Sequence, residues 1–100
     1  MKVYLVRERK NINAVGEYDV ETKALTVKKG SRVSEDIAYT EKFRGAKTIE
    51  KDRAGTVKDH IVTKDISFKS ASTAANFVTG GSTNGLVAWK ADNGLRIKEV

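Results

Sequence analysis

Residues 66–91 read ISFKSASTAANFVTGGSTNGLVAWKA, and this stretch decides the fold of the chain. It contains only two charged side chains, Lys69 and Lys90, although charged residues make up 32% of the whole sequence. Small, hydroxyl and amide side chains fill most of the other positions. Because alanine lets a short helix pack closely against a sheet, we expect this stretch to carry such a helix.

The middle of this stretch predicts a helix over Ala71 to Thr79. Ser70 is the expected N-cap, because its side-chain oxygen can accept hydrogen bonds from the free N–H groups of the first turn. Gly80 and Gly81 follow the last helical residue, and glycine commonly ends a helix. The apolar positions recur on one helical face, which consists of Ala71, Ala74, Ala75 and Val78.

The end of the stretch predicts two short strands. Asn84-Gly85 is expected to form a turn with positive φ, after which Leu86 to Lys90 enters a strand. Trp89 is the only tryptophan, and we expect it to be buried with its indole N–H hydrogen-bonded. Asp92-Asn93-Gly94 then predicts a hairpin turn that leads into a strand over Leu95 to Lys98.

The first third of the chain predicts a small meander of strands. Val3 to Val6 is rich in β-branched and aromatic residues, which favour a strand. Ala14 to Tyr18 and Ala24 to Val27 flank a short polar segment, so an antiparallel hairpin is the simplest arrangement. Gly30 is expected to turn the chain after this hairpin.

A first helix and a further strand are expected in the middle of the chain. Ser34 or Asp36 can cap the helix, Gly55 can end it, and His60 to Thr63 predicts the strand. The helical stripe consists of Tyr39, Phe43, Ala46 and Ile49.

The predicted fold class is therefore α+β. A small β-meander with hairpins, about five strands in all, is expected to pack on two helices. The length of 100 residues suits a single domain over residues 1–100.

The charge of the chain indicates a polyanion as the class of partner. Lysine and arginine number 19 against 13 aspartates and glutamates, which gives a net charge of +6. Residues 1–50 and 51–100 each carry +3, so the excess is spread over the body of the domain. A basic domain is attracted to nucleic acid or to an anionic membrane surface. No apolar run resembles a signal peptide or a membrane span, so we expect a cytoplasmic protein with no membrane partner.

The chain lacks the residues that most catalytic and metal-binding sites require. The chain has no cysteine and one histidine, His60, which excludes thiolate zinc sites and cysteine nucleophiles and argues against a histidine metal cluster. His60 can be drawn as a triad with Asp59 or Asp65 and a serine such as Ser70. A triad is recognised by geometry, however, and a histidine at the edge of a strand is the simpler interpretation. We expect no catalytic, cofactor-binding or metal-binding residues.

Four polar side chains of residues 66–91 are candidates for a binding pocket. A serine-rich helix start with free N–H groups is suited to an anion or a phosphate. Capping and turn chemistry account for the same residue types, so both interpretations stay open. The candidates are Ser70, Ser72, Asn76 and Asn84.

Residues 68–90 resemble a family pattern of the form F-S-S-P-S-A-A-A…G…N-G-W…W-K. The pattern belongs to a small C-terminal domain of GIY-YIG-type nucleases and type I restriction–modification subunits. That domain is similar to the RAMA (restriction enzyme and adenine methylase associated) domain, which is proposed to recognise modified DNA. The resemblance touches most of residues 14–98, and its structural signature here is Phe68, Ala74, Ala75, Gly80, Gly85 and Trp89.

Three departures from the residues usual in this family bear on its role. Ala71 replaces the proline, Leu86 replaces the aromatic residue after Asn-Gly, and Gly81 replaces an arginine. The GIY-YIG catalytic domain itself does not occur in the chain. The resemblance therefore implies a DNA-linked accessory domain without a reaction of its own.

Charge and resemblance together predict a non-catalytic DNA-associated binding module, accessory to restriction–modification or nuclease systems. Its expected partner is duplex DNA, bound weakly and electrostatically, or a nuclease or methylase protein. A protein–protein docking module with no nucleic-acid contact is the alternative, and an unrecognised enzyme is a third. An exposed apolar patch would favour docking, and a continuous basic groove would favour DNA. The phosphate-contact candidates are Arg7, Arg9, Lys10, Lys28, Lys29, Arg32, Lys42, Arg44 and Lys47.

Overall fold

A five-stranded antiparallel sheet lies at the centre of the computed structural model, which describes residues 1–40 and 45–100. Its spatial order is β6-β3-β2-β1-β7, and β4 pairs with β5 in a separate hairpin. The strands are β1 (Lys2–Arg7), β2 (Ile12–Tyr18), β3 (Leu25–Val27), β4 (Val57–Lys58), β5 (Ile61–Val62), β6 (Ile66–Phe68) and β7 (Lys90–Ala91). The helices are α1 (Ala46–Arg53), α2 (Ala71–Thr79) and α3 (Gly85–Ala88), with 3₁₀ turns at Glu8–Lys10 and Ile97–Glu99. The α+β prediction is confirmed.

The predicted meander is confirmed. One face of its sheet is buried against the core, and the other is more exposed to solvent. Antiparallel pairing sets Val3 opposite Gly16 and Leu5 opposite Ala14, and these four residues all face the core. Lys2, Tyr4 and Val6 alternate with them and point to the other face, which is less buried. This alternation is typical of an antiparallel sheet that packs on one side only.

Helix α2 packs on the buried face with the bounds that the sequence predicts. The Ser70 side chain accepts a hydrogen bond from the Thr73 N–H at 3.1 Å, and Gly80 ends the helix in the left-handed region at φ 78°. Ala74, Ala75, Val78 and the other apolar side chains of this face are buried. The Phe77 ring lies 5.0 Å from the Phe68 ring, centroid to centroid.

The strand predicted over residues 86–90 is wrong, because a short helix precedes a much shorter strand. Asn84 caps α3, and its side chain accepts a hydrogen bond from the Leu86 N–H at 3.1 Å. Gly85 is the first residue of α3 and does not have the positive φ predicted for it. The Asn84 cap, together with the contacts of Gly85 and Trp89 with the first turn of α2, outweighs the β propensity of this short segment. Only Lys90–Ala91 enters the sheet.

The predicted start of the first helix is also wrong. Neither Ser34 nor Asp36 caps it, since residues 34–40 are not helical and the described part of α1 begins at Ala46. The Ser34 hydroxyl instead donates a hydrogen bond to the Asp36 carbonyl at 2.7 Å. Gly55 follows the end of α1 at φ 80°, as the prediction of a stop there requires. Phe43, from the predicted stripe, lies outside the described residues.

One predicted strand is shorter in the structure, and the strand predicted over Leu95 to Lys98 is wrong. Only Ile61–Val62 of the segment 60–63 forms a strand, because Asp59 and His60 adopt left-handed φ angles of 52° and 65° in the tight β4–β5 turn. The turn at Gly94 is present, with φ at 83°. The segment after it makes a single bridge to Lys90 and then coils into the 3₁₀ turn.

Trp89 is fully buried, as predicted, although it follows α3 rather than lying in a strand. Its indole N–H donates a hydrogen bond to the Ala71 carbonyl oxygen at 3.1 Å. Ala71 is the first residue of α2, so the ring ties the end of α3 to the start of α2. The largest side chain of the core therefore sits at the junction of the two helices.

Gly85 is required by a close main-chain contact. A Cβ atom at this position would lie 2.1 Å from the carbonyl carbon of Ala71 and 2.4 Å from the amide nitrogen of Ser72. The Gly85 N–H donates a hydrogen bond to the Ser72 hydroxyl oxygen at 2.9 Å, which holds the two helix starts together. No side chain fits between these segments.

Replacing Trp89 by alanine should lower the free energy of unfolding by about 3–5 kcal/mol, because it removes a fully buried ring. Trp89→Phe is the matched control, since it keeps an aromatic ring and loses the bond to Ala71; we expect it to cost less than the alanine variant. Urea denaturation followed by circular dichroism measures both. An alanine variant as stable as the wild type would contradict the core role of this ring.

Replacing Gly85 by alanine should destabilise the fold by about 3 kcal/mol, at the upper end of overpacking, because the added Cβ meets main-chain atoms that cannot move aside. Gly55→Ala is the matched control. That position has open space around it and φ at 80°, so only a conformational cost of about 1–2 kcal/mol is expected. Equal losses in urea denaturation would show that close contact does not explain Gly85.

Candidate nucleic-acid interface

A groove of about 470 Å³ lies at the end of the sheet where β1 turns into β2. One side of it, which we call the basic wall, consists of Arg7, Arg9 and Lys10. The facing wall is formed by residues 34–38 and by residues 79–81 at the C-terminal end of α2. The fold thus gathers three predicted phosphate-contact residues on one edge.

The β1–β2 connection projects the basic wall outward because it is a single 3₁₀ turn with no buried residue. Asn11 ends the turn in the left-handed region at φ 55°, which asparagine tolerates better than most residues. Its N–H donates a hydrogen bond to the Glu8 carbonyl at 3.0 Å. Among the described residues, no carboxylate pairs with a side chain of the basic wall.

The facing wall is anionic. Glu35 and Asp36 lie on it, and both are exposed. A small anion inside the groove would meet these carboxylates as well as the cations, whereas a polyanion can contact the exposed basic wall from outside the groove. The groove is therefore better suited to an extended chain of phosphates than to a small anion enclosed within it.

Strand pairing keeps Arg32 away from the basic wall. Its main-chain N–H and carbonyl exchange hydrogen bonds with Asn13 at 2.8 and 3.0 Å. Asn13 in turn stands opposite Val6, the residue before Arg7 in β1. Because successive side chains of a strand alternate between the two faces, the half-buried Arg32 lies on the sheet face opposite to that of Arg7, and it does not line the groove.

Lys28 and Lys29 belong to a different arrangement, because both contact Asp65. The Lys28 ammonium lies 2.7 Å from one carboxylate oxygen, and the Lys29 N–H donates to the other at 2.8 Å. The hydrogen bond from Lys28 lowers the pKa of Asp65, and the same bond raises the pKa of Lys28. Asp65 thus offsets much of the charge that Lys28 offers to a phosphate.

The remaining predicted contacts are not brought to the basic wall. Lys47 is exposed in the first turn of α1, and no contact joins it to the basic wall in the described residues. Lys42 and Arg44 lie outside the described residues. The candidate interface therefore consists of the basic wall.

Arg53 is the important residue that the sequence analysis missed. Its guanidinium donates hydrogen bonds to the Phe77 carbonyl at 2.7 and 3.1 Å, and to the Ser34 carbonyl and hydroxyl oxygens at 3.0 and 2.9 Å. Burial lowers the pKa of this guanidinium, which still carries its charge at neutral pH. No signal in the sequence separates Arg53 from the solvated lysines around it.

Arg53 joins the two segments that form the facing wall. Phe77 lies in the last turn of α2, where carbonyl groups lack helical partners and a cation is favoured. The main chain adds two hydrogen bonds between the same segments: Ser34 N–H to Val78 at 2.8 Å and Ala38 N–H to Gly80 at 2.7 Å. Arg53 therefore positions the groove and does not contact a ligand in it.

The two serines of the predicted polar pocket lie at the start of α2. Ser70 caps the helix through Thr73, and Ser72 accepts the hydrogen bond from Gly85. Both residues line a second groove at this end of the helix, far from the basic wall. Their hydroxyl oxygens are already used as acceptors by the main chain.

The two asparagines of the predicted pocket have similar roles. Asn76 accepts a hydrogen bond from the Thr83 N–H at 2.8 Å, and Asn84 accepts one from the Leu86 N–H. Capping and turn chemistry thus use the acceptor oxygen of every candidate in the pocket. A ligand-binding role for these four residues stays a prediction.

The residues of the drawn triad are engaged separately. Asp65 binds Lys28 and Lys29, Ser70 caps α2, and the exposed His60 lies in the β4–β5 turn. Within residues 1–40 and 45–100, no group of three or more acidic or histidine side chains is placed to hold a metal ion. No helix in the same part of the chain is long and apolar enough to cross a bilayer.

Fold and groove together define a small α+β domain with a basic edge. The chain belongs to the family described as a domain of unknown function (DUF4357), whose family model matches residues 5–100. No curated protein and no solved structure matches the chain.

Replacing Arg53 by methionine should lower the free energy of unfolding by about 2–4 kcal/mol, because the Phe77 and Ser34 carbonyls lose a charged donor in a half-buried site. Arg96→Met is the matched control. Arg96 contacts Glu99 at the surface, so its loss should cost less than about 1 kcal/mol. Urea denaturation compares the two, and equal costs would show that Arg53 does not hold these segments together.

Proposed function

We propose that this chain is a non-catalytic DNA-associated binding module, accessory to restriction–modification or nuclease systems. Its basic wall contacts the phosphates of duplex DNA. The observation that carries this proposal is the gathering of the exposed Arg7, Arg9 and Lys10 at the β1–β2 connection without a carboxylate partner among the described residues.

The physical basis is electrostatic. Each phosphate that an arginine or lysine neutralises releases condensed counterions, which gives affinity that falls with salt. Phosphate contacts fix the position of a protein on the duplex and carry no sequence information. Three exposed cations at the β1–β2 connection therefore support weak binding that is tolerant of sequence.

The resemblance of residues 68–90 to the nuclease- and restriction-associated domain supports the DNA-linked setting. Its signature residues Phe68, Ala74 and Ala75 are buried, and Gly85 and Trp89 join α2 to α3. These residues build the fold that carries the basic wall, and they leave base recognition to other groups. The basic wall itself lies outside residues 68–90.

The test is fluorescence anisotropy with a labelled 20-base-pair duplex at several salt concentrations. If about four to six phosphates are neutralised, the logarithm of the binding constant should fall with the logarithm of salt at a slope of about −4 to −5. Reversing the basic wall with Arg7→Glu, Arg9→Glu and Lys10→Glu should reduce that slope by about 3, or about one per lost contact.

A charge-matched control separates the basic wall from the net charge. Lys51→Glu, Lys69→Glu and Lys90→Glu change the charge of the chain equally at exposed positions that do not line the groove. This variant should keep most of the slope, and unchanged circular dichroism should show that both triple variants fold. Equal effects of the two variants would refute the basic wall as the interface. No binding at low salt would leave the docking module as the better account.

A further inference from the structure

We propose that the groove at the start of α2 docks a short apolar segment of a partner protein that carries carboxylate side chains. This surface is separate from the basic wall and does not depend on DNA binding. The two grooves lie at opposite ends of α2, whose nine residues span about 13 Å.

The groove has the dimensions of a binding cleft. Its volume is about 590 Å³, within the range of about 300–1,000 Å³ that is typical of ligand-binding clefts. Tyr18 and Ile97 form part of its floor, and both are buried. The start of α2 closes one side.

Exposed apolar side chains concentrate at this groove. Six large apolar side chains are exposed among the described residues, and three of them line it: Val20, Leu86 and Val100, with 53%, 41% and 62% of their surface exposed. Scattered single exposures are ordinary on a protein surface, whereas several in one concavity mark an interaction site. Their burial by a partner would provide the apolar part of the binding free energy.

The charges at the groove select the partner. Lys23 and Lys98 line it, and no acidic side chain does so. Neither lysine forms an ion pair with a described residue. A segment with apolar side chains between carboxylates matches this arrangement, because the apolar groups fill the cleft while the carboxylates meet the lysines at its edge.

The loop before β3 holds part of this surface in place. The Asp19 carboxylate accepts hydrogen bonds from the Glu21 and Thr22 N–H groups at 2.9 and 3.2 Å, and these bonds lower the pKa of Asp19. The turn that they stabilise carries Val20 and ends at Lys23. The apolar and the cationic part of the surface are thus presented by the same turn.

In the experiment, a displayed library of random 12-residue peptides is selected for binding to the wild-type chain. We expect the enriched peptides to share at least two apolar residues and to carry net negative charge. Synthetic fluorescent copies then provide dissociation constants for the wild type and for each variant. Circular dichroism and thermal melting confirm that the variants fold.

Leu86→Glu and Leu95→Glu form the decisive pair. Both positions are leucines with 41% of their surface exposed, but only Leu86 lines the groove. Leu86→Glu should weaken peptide binding at least about tenfold, as the loss of a central apolar contact does. Leu95→Glu should leave it unchanged, and Val20→Glu provides a second variant within the groove.

A second pair tests the charges. Lys23→Glu with Lys98→Glu should weaken binding of the acidic peptides about tenfold or more. Lys51→Glu with Lys58→Glu changes the net charge equally at exposed positions away from the groove and should have little effect. Leu86→Glu should also retain the salt-dependent binding of duplex DNA, so the two proposals fail separately.

Three outcomes would overturn the proposal. The first is no enrichment above the unselected library. The second is enrichment of peptides that are basic, or that bind Leu86→Glu as tightly as the wild type. The third is self-association in sedimentation that Leu86→Glu abolishes and Leu95→Glu preserves, which would assign the groove to a second copy of the chain.

Discussion

The direct main-chain contact between Gly85 and the first turn of α2 is the constraint on which the rest of the structure depends. The Ser72 hydroxyl accepts the Gly85 N–H, and the Trp89 indole reaches the Ala71 carbonyl. With α3 held so close, the chain returns as β7 to the free edge of β1 and completes the sheet. The buried Trp89 ring and the absence of a Cβ atom at Gly85 both stabilise this junction. Any atom added at Gly85 would separate the helices.

Helix α2 links the two surfaces for which we propose functions. Its C-terminal carbonyls are held by Arg53, which also holds the segment facing the basic wall. Its N-terminal end borders the apolar groove. A polyanion at one end would contact cations, whereas an apolar, acidic segment at the other would contact an apolar groove with lysines at its edge. The two proposed ligands would therefore not compete for residues.

Local interactions explain which elements the sequence predicts well. Ser70, the alanine face and Gly80 all act within α2 itself, and each favours the same helix, so its bounds are predicted residue for residue. The β1–β2–β3 meander is likewise encoded by alternation and short connections. The segments predicted wrongly have competing local signals: Asn84 can begin a turn or cap a helix, and Ser34 can cap a helix or bind Arg53. Only contacts from distant residues decide between these options.

The sequence by itself determined the α+β class, the α2 helix with its caps, the burial of Trp89 and the excess of positive charge. Tertiary structure decided which charges act together. Strand pairing places Arg32 on the sheet face opposite to that of Arg7, Asp65 pairs with Lys28 from 37 residues away, and Arg53 becomes a half-buried support rather than a solvated cation. It also assembled Val20, Leu86 and Val100 into one groove. The physical reason is that composition and periodicity describe each residue within its own segment, whereas electrostatic and apolar surfaces arise between segments that are distant in the chain.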